Sequence, residues 1–440
     1  MKPLTLTQIA ELAGGKLLGV TRADTDTGRI ACATLTRVVT DTRALSAGDL
    51  FVALRGERFD GHDFLQQAAE RGAVAALVDK IPPASAGLPL ILVEDTLAGL
   101  QRLAKNYRRT LTVKVVAITG SNGKTSTKEF VAAVLAAKFK VHKTAGNLNN
   151  HIGVPLTVLG IDEAHEFAVV EMGMNHPGEL APLVELARPD IGVITSVGWA
   201  HIGAFADRDE IALEKARVIA GLPADGLAIL HDDEWLPLLR RLTRARVVTA
   251  SGATTLPVTG AHMARNAALA AALGTELGIS AADIAASLAA VKLPNNRLSA
   301  RKFRDGWLLD DTYNASPDSM SAAFRTLAEL PGAGRRVALL GSMGELGARA
   351  ARLHREAGAA AARDGVALLF ALGPNARDLV AGAAGGDDNY QAFPDHALLS
   401  AAYWARSRAD DKILVKGSRG QRMELVVGEL ERRGASCCIS

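Results

Sequence analysis

The chain has 440 residues, 48% hydrophobic and 22% charged, an ordinary globular composition that at ~150 residues per domain suits about three domains with buried cores. Its formal net charge of +3 is too balanced for nucleic acid to be the main partner. Cys32, Cys437 and Cys438 form no even disulfide framework, Met1-Lys2-Pro3-Leu4-Thr5 lacks an apolar signal core, and no apolar run reaches the ~18 residues of a membrane span, so the sequence reads as a soluble cytoplasmic protein.

In chain order, the pattern predicts a helix over Thr5–Leu17, with Thr7 as a cap before Ile9, Leu12 and Leu17. A strand follows at Asp49–Leu54, closed by Gly56, then a helix at Asp63–Arg71 and a strand at Ala73–Val78. Pro82 and Pro83 break the chain before a strand at Leu90–Val93 and an amphipathic helix at Leu97–Tyr107. Strands at Val113–Thr119, Phe167–Val170, Ile191–Ser196 and Leu227–Leu230 alternate with helices at Thr125–Ala137, Ile211–Ala220 and Ala261–Leu277. That alternation indicates a parallel sheet with helices on both faces. Pro294, Asn295 and Asn296 suit a linker. Beyond it a second α/β pattern has strands at Val337–Leu340, Ala367–Ala371 and Ile413–Val415 and helices at Ala350–Ala362 and Ala397–Ala405.

The strongest chemical feature is Gly120-Ser121-Asn122-Gly123-Lys124-Thr125-Ser126, directly after an apolar strand and before a helix. Loop N–H groups and a helix N-terminus make an anion site, the lysine neutralises phosphate charge, and the threonine hydroxyl can ligate Mg²⁺. The full spacing G-x-x-x-x-G-K-[ST] needs glycine at 118, where Ile118 stands, so this is a shortened form.

In open α/β sheets ligands sit at the carboxyl ends of the strands. Two further strands end near capable residues, Glu171 and His201. With Thr125 they would surround nucleotide phosphates, and a carboxylate is a natural Mg²⁺ ligand while histidine is a less usual one. Asn147, Asn149 and Asn150 offer amide donors or form a plain loop. Lys215 reads from spacing as an exposed helix lysine. His262 and Asn266, four apart on one helix face, could read a purine edge or bond locally. Asp311, Tyr313 and Asn314 sit in a dense polar turn, and Ser418 and Arg419 follow the last strand, where Arg419 could hold a carboxylate.

These segments resemble the Mur ligase family, ATP-dependent amino-acid ligases of peptidoglycan synthesis, over essentially the whole chain. The resemblance rests on Thr40-Asp41-Thr42-Arg43, Gly48 to Leu54, Asp60-Gly61-His62, the phosphate loop, Asn147 to Pro155, Glu171 to Gly178, His201, Asp310 to Met320 and Lys416 to Arg419. The Asn-Leu-Asn-Asn, Glu-Met-Gly-Met-Asn-His and Tyr-Asn-Ala segments point to the branch that adds D-alanyl-D-alanine. No Asp-Asn-Pro-Arg segment of the diaminopimelate-adding branch is present. Ser342 stands where many relatives have Asp, and Ser316 where Asn is usual.

The resemblance implies three α/β domains: a small mixed N-terminal domain for the UDP-sugar-peptide (1–95), a central parallel-sheet, P-loop ATPase-like domain (96–296) and a Rossmann-like C-terminal ligase domain (297–440). It implies ATP and Mg²⁺ as cofactors, UDP-N-acetylmuramoyl-tripeptide and D-alanyl-D-alanine as substrates, and a monomer. Thr40, Asp41, Thr42, Arg43, Asp60, Gly61 and His62 would bind the UDP-sugar. Residues 120–126 would cradle ATP, with Asn266 on adenine and Arg297 and Asp311 on phosphate and ribose. Thr125, Glu171, His201 and Lys215 would serve the metal ions, Lys215 after carbamylation, which reverses the reading of it as a surface lysine. Lys124, His201, Lys215 and Arg297 would be catalytic, and Asn147, Asn149, Asn150, Tyr313, Asn314, Ser418 and Arg419 would contact substrate. The implied chemistry runs through an acyl phosphate, with closure of the C-terminal domain over ATP. The competing readings are a folylpolyglutamate synthase-like ligase, disfavoured by the N-terminal domain, a phosphate-loop motor or switch ATPase, and a catalytically dead nucleotide-binding protein, disfavoured by intact Lys124, Thr125, Glu171, His201 and Lys215.

Overall fold

The computed structural model describes residues 1–19, 35, 37–81, 87–250, 260–293, 296–383 and 388–436. The three cysteines, Pro82, Pro83, Pro294 and Asn295 lie outside the described residues.

The described residues form three sheets. The first has the order β1-β5-β4-β3-β2, from Lys16–Leu18 (β1), Val38–Val39 (β2), Leu50–Val52 (β3), Ala75–Val78 (β4) and Leu90–Leu92 (β5), with β1 antiparallel to β5. The first helix is Leu6–Ala13, not Thr5–Leu17. Thr5, rather than Thr7, caps it through a capping box with Gln8, and Gly14 ends it at φ 66. The apolar residues after Gly14 then belong to β1, whose register sets Leu17 against Ile91. The helix expected at Asp63–Arg71 is split into a 3₁₀ turn, Gly61–Phe64, and a short α-helix, Leu65–Glu70. The amphipathic helix Thr96–Arg108, capped by Asp95, packs against both the first helix and the central helices Gly153–Leu159 and Leu180–Ala187. It therefore joins the first two units through one hydrophobic core.

The second sheet has six strands, all parallel, in the order β11-β10-β9-β6-β8-β7. They are Lys114–Thr119 (β6), Val141–Lys143 (β7), Phe167–Glu171 (β8), Ile191–Ile194 (β9), Leu227–His231 (β10) and Arg246–Ala250 (β11). The four inner strands are the apolar runs legible in the sequence. The edge strands β7 and β11 are only partly buried and carry polar residues, so they lack a hydrophobic signal. Strand β6 lies between β8 and β9, which brings three carboxyl ends together where the strand order reverses.

The third sheet has the order β12-β13-β17-β14-β15-β16. Its strands are Ser299–Phe303 (β12), Gly306–Asp311 (β13), Arg336–Gly341 (β14), Leu368–Leu372 (β15), Tyr390–Phe393 (β16) and Lys412–Lys416 (β17), parallel except for the β12–β13 hairpin. The hairpin was not expected from the sequence. It sets Asp311 at a strand end directly beside Lys416 of β17.

This unit docks on the central one. The Ser316 hydroxyl donates to Asn122 Oδ1 at 2.9 Å, Trp199 N–H to Asp318 at 2.7 Å and Gly203 N–H to the Glu345 carbonyl at 2.9 Å. Among the described residues no helix is long and apolar enough to cross a membrane.

Candidate active site

Strand β6 delivers the chain into the loop Gly120–Gly123 and then the helix Lys124–Ala136. A Cβ at Gly120 would lie 1.9 Å from Thr195 Oγ1, and Gly123 adopts φ 81 against the Asn266 amide, so both positions require glycine. Among the described residues no side chain caps this helix start. Its leading N–H groups therefore face the cleft, the arrangement an anion needs. Lys124 Nζ donates back to the Gly120 carbonyl at 2.8 Å. Desolvation lowers the Lys124 pKa, aided by Arg297 and opposed by Glu171 and Glu345. Such an ammonium gains from any anion brought beside it.

Glu171 ends β8 and is 1% exposed. Its Oε1 accepts from Thr125 Oγ1 at 3.1 Å and from Asn149 Nδ2 at 2.7 Å. Its Oε2 is buried with no hydrogen-bond partner among the described residues. No group of three or more His, Cys, Asp or Glu side chains there forms a metal cage. A hydroxyl and a buried carboxylate with a free oxygen fit Mg²⁺, which takes few protein oxygens and completes its shell with phosphates and water.

His201 adopts a left-handed backbone, φ 64, at the start of a 3₁₀ turn, and its Nδ1 pairs with the Glu345 carboxylate of the C-terminal unit. The hydrogen bond to His201 holds Glu345 below the usual carboxylate range. His201 thus lines the same cleft as Glu171 with its ring engaged across the domain boundary.

Lys215, read from spacing as exposed, is 1% exposed. Its helix, Arg208–Ala220, is buried on more than one face, including Ile211, Ala212, Glu214 and Val218, so its charges gave no guide to solvent. Desolvation drives Lys215 well below the ordinary lysine pKa, with Lys124 pushing the same way and Glu214 opposing. It is not among the residues that line the cleft.

The cleft measures about 610 Å³ and lies between the central and C-terminal units. Besides residues 121–126, Glu171 and His201, it is lined by Asn147, Asn149, Asn150, His262, Asn266, Arg297, Asp311, Tyr313, Asn314, Ser418 and Arg419. Arg297 stacks on the Tyr313 ring at 3.7 Å. Burial raises the Asp311 carboxyl against its ion pair with Lys416, which also donates to the Asn314 carbonyl at 2.8 Å. The asparagines divide their work. Asn149 faces Glu171, while Asn150 Oδ1 accepts from Gly153 N–H at 2.9 Å and starts the next helix. Ser342 is turned inward, its hydroxyl accepting from Asn375 N–H at 3.0 Å and donating to Leu372 O at 3.3 Å. Ser316 caps the helix Pro317–Glu329 and reaches the phosphate loop. Pro317 and a reciprocal Ser316–Ser319 capping box start this helix, where the sequence reading has only a polar turn.

Thr40–Arg43 and Asp60–His62 do not line this cleft; in the first unit Thr40–Arg43 directly follows β2, and Gly61 packs on Ala53 and Leu54 just beyond β3. Asp41 caps Arg43 N–H at 2.9 Å, and Thr42 donates to Gln67 at 2.6 Å. His62 Nε2 accepts from Asp79 N–H at 3.3 Å, which directs the Nδ1 proton to Asp60 at 2.6 Å. Burial works to raise Asp60, but hydrogen bonds from Lys80 and His62 hold it well below the carboxylate range.

Two histidines, His262 on the cleft wall and His231 at the end of β10, give a pH dependence. Burial lowers His231 and His262 to about 4, with Arg265 adding to the first and Lys416 and Arg325 to the second. Each stays neutral when folded, while the unfolded chain takes up protons below the ordinary value of 6.5. Stability therefore falls as pH drops from about 6.5 to 4, by up to about 3 kcal/mol per histidine. Urea unfolding midpoints at pH 6.5 and 4.5 measure this, and His231→Asn or His262→Asn should flatten the slope.

Comparison with known proteins follows the same outline. The description "Mur ligase family, catalytic domain" matches residues 34–108, "Mur ligase middle domain" 118–253 and "Mur ligase, glutamate ligase domain" 296–419. The UDP-N-acetylmuramoyl-tripeptide–D-alanyl-D-alanine ligase of Bacillus subtilis (strain 168) is 38% identical over 424 residues, covering 89% of this chain and 92% of that protein. The crystal structure of MurF from Acinetobacter baumannii is similar at TM-score 0.86 and 29% identity, covering 98% of this chain and 99% of that one. The MurF ligase of Thermotoga maritima, crystallised in complex with ADP, is similar at TM-score 0.78 and 29% identity, covering 90% and 98%. With matches that run from the first sheet to the last, this chain belongs to the Mur ligase family.

Proposed function

We propose that this chain is an ATP-dependent ligase that joins D-alanyl-D-alanine to UDP-N-acetylmuramoyl-tripeptide, releasing ADP and phosphate. One observation carries the reading: the phosphate loop, the buried Glu171 and the C-terminal Arg297 and Asp311 line a single cleft between two units. That is the geometry of a ligase that closes on its nucleotide, and the names of the Bacillus and Acinetobacter relatives supply the substrates. The ADP in the Thermotoga relative supports ATP use.

In this reading residues 1–95 hold the UDP-sugar, through Thr40–Arg43 and Asp60–His62, 96–296 hold ATP, and 297–440 close with the dipeptide. The terminal carboxylate of the tripeptide attacks the ATP γ-phosphorus, and the bond to the β-phosphate oxygen breaks, giving an acyl phosphate and ADP. The amine of D-alanyl-D-alanine then attacks the acyl carbon. The tetrahedral species loses a proton and expels phosphate, leaving the amide. Lys124 and the N–H groups of residues 121–125 bind the phosphates and neutralise the charge that moves onto ADP. Asn266 faces the adenine, and Arg297 and Asp311 hold the nucleotide from the far wall. Asn147, Asn149, Asn150, Tyr313, Asn314, Ser418 and Arg419 line the substrate side, where a closed cleft also keeps water from the acyl phosphate. Thr125 and Glu171 would hold Mg²⁺, with His201 once it leaves Glu345 and Lys215 once carbamylated. The metal supplies charge neutralisation and orientation of the phosphates. We place the protein in the cytoplasm as a monomer.

The test is phosphate release from ATP and Mg²⁺ with the two substrates added singly and together. Release only with both, and a pentapeptide product by mass, is expected. Release without either would turn the reading to an ATPase.

A further inference from the structure

Lys128 has no part in the steps above, yet its side chain is completely buried. It lies one turn after Lys124 on the helix Lys124–Ala136, so the two lysines share a face. Its ammonium is surrounded by named groups. Nζ donates to the Gly146 carbonyl at 3.0 Å, and lies 3.1 Å from Glu129 Oε1 and 3.9 Å from Glu171 Oε2. Glu129 is held in turn by Lys143. Gly146 opens the asparagine loop in the left-handed region at φ 52. That loop then returns Asn149 to Glu171 Oε1 at 2.7 Å. One ammonium thus touches the start of the loop and faces the free oxygen of the carboxylate that the loop holds.

We propose that Lys128 is a positioning residue for the metal-binding carboxylate. It pins the asparagine loop at Gly146 and keeps Glu171 Oε2 turned toward the site without bonding to it. The 3.9 Å separation is too long for a hydrogen bond, so the oxygen's lone pairs stay free for a metal. The separation is short enough for charge attraction in a buried setting, which disfavours rotation of the carboxylate away. Outer partners that orient ligating carboxylates change metal affinity or activity about 10–100-fold when removed. The inference rests on the ligase reading only in placing magnesium at Glu171.

The sign of the effect separates positioning from simple charge. Were Lys128 only a nearby cation, its removal would strengthen divalent-cation binding. Positioning requires the opposite. The experiment measures Mn²⁺ binding to the full-length protein with ADP, from the electron paramagnetic resonance signal of free Mn²⁺. Lys128→Met keeps the volume and loses every donor, while Lys128→Gln keeps an amide that can reach toward Gly146. We expect Mn²⁺ affinity to fall about tenfold or more in Lys128→Met and by less in Lys128→Gln. Unchanged or tighter Mn²⁺ binding in folded Lys128→Met overturns the proposal. If circular dichroism shows that the Met variant does not fold, the Gln variant decides by the same criterion. Failure of the ligase reading shows separately, as wild-type protein that releases no phosphate with both substrates while its Mn²⁺ binding still depends on Lys128.

Discussion

Lys124→Met should reduce kcat/KM for ATP by about 10³-fold or more and leave the fold intact. Among the described residues the half-buried ammonium donates only to the Gly120 carbonyl, at 2.8 Å, and desolvation already lowers its pKa. Folding therefore gains little from the charge, and the group waits for an anion. The largest charge movement of the proposed reaction occurs on the phosphates this lysine would touch. Methionine fills the same space without the charge, so transition-state stabilisation is lost while the melting temperature stays level or rises. Steady-state phosphate release and thermal unfolding on one preparation check both halves. Activity within tenfold of wild type would remove Lys124 from the phosphate site, and a marked fall in melting temperature would make it a structural residue.

Glu171→Gln should lower kcat about 10²- to 10³-fold and raise the Mg²⁺ concentration needed for half-maximal rate. The side chain is 1% exposed and its Oε1 accepts from Thr125 and Asn149, bonds a glutamine carbonyl retains. What changes is Oε2, which has no hydrogen-bond partner among the described residues and faces Lys128 at 3.9 Å. An amide group there carries no charge and directs donors where a metal requires lone pairs. Packing survives and metal binding does not. The decisive plot is rate against Mg²⁺ at saturating ATP. An unshifted curve with a reduced plateau would assign Glu171 to orientation of the loop instead.

Much of the site was readable from sequence because its parts are local. A β-strand, two glycines, Lys124, Thr125 and a helix follow one another without interruption, and backbone geometry over so few residues depends little on the rest of the chain. Glu171 was marked as a strand end after an apolar run. Lys215 shows where the reading stopped: charged neighbours on a helix imply solvent only if one face is free, and here the helix is packed on several. Lys128 was missed for the same reason. The hairpin of β12 and β13 was missed because its first strand is only partly buried. With it went the neighbouring placement of Asp311 and Lys416 on β13 and β17.

By itself the sequence determined the alternation of strands and helices, the nucleotide loop and its order of glycine, lysine and threonine, since these follow from residue type and near-neighbour spacing. The tertiary structure alone decided the strand order that sets β6 between β8 and β9, the burial of Lys128 and Lys215, and the pairing of His201 with Glu345 across two units. Those depend on contacts between residues far apart in the chain, whose energy comes from excluding water between surfaces that no local pattern records.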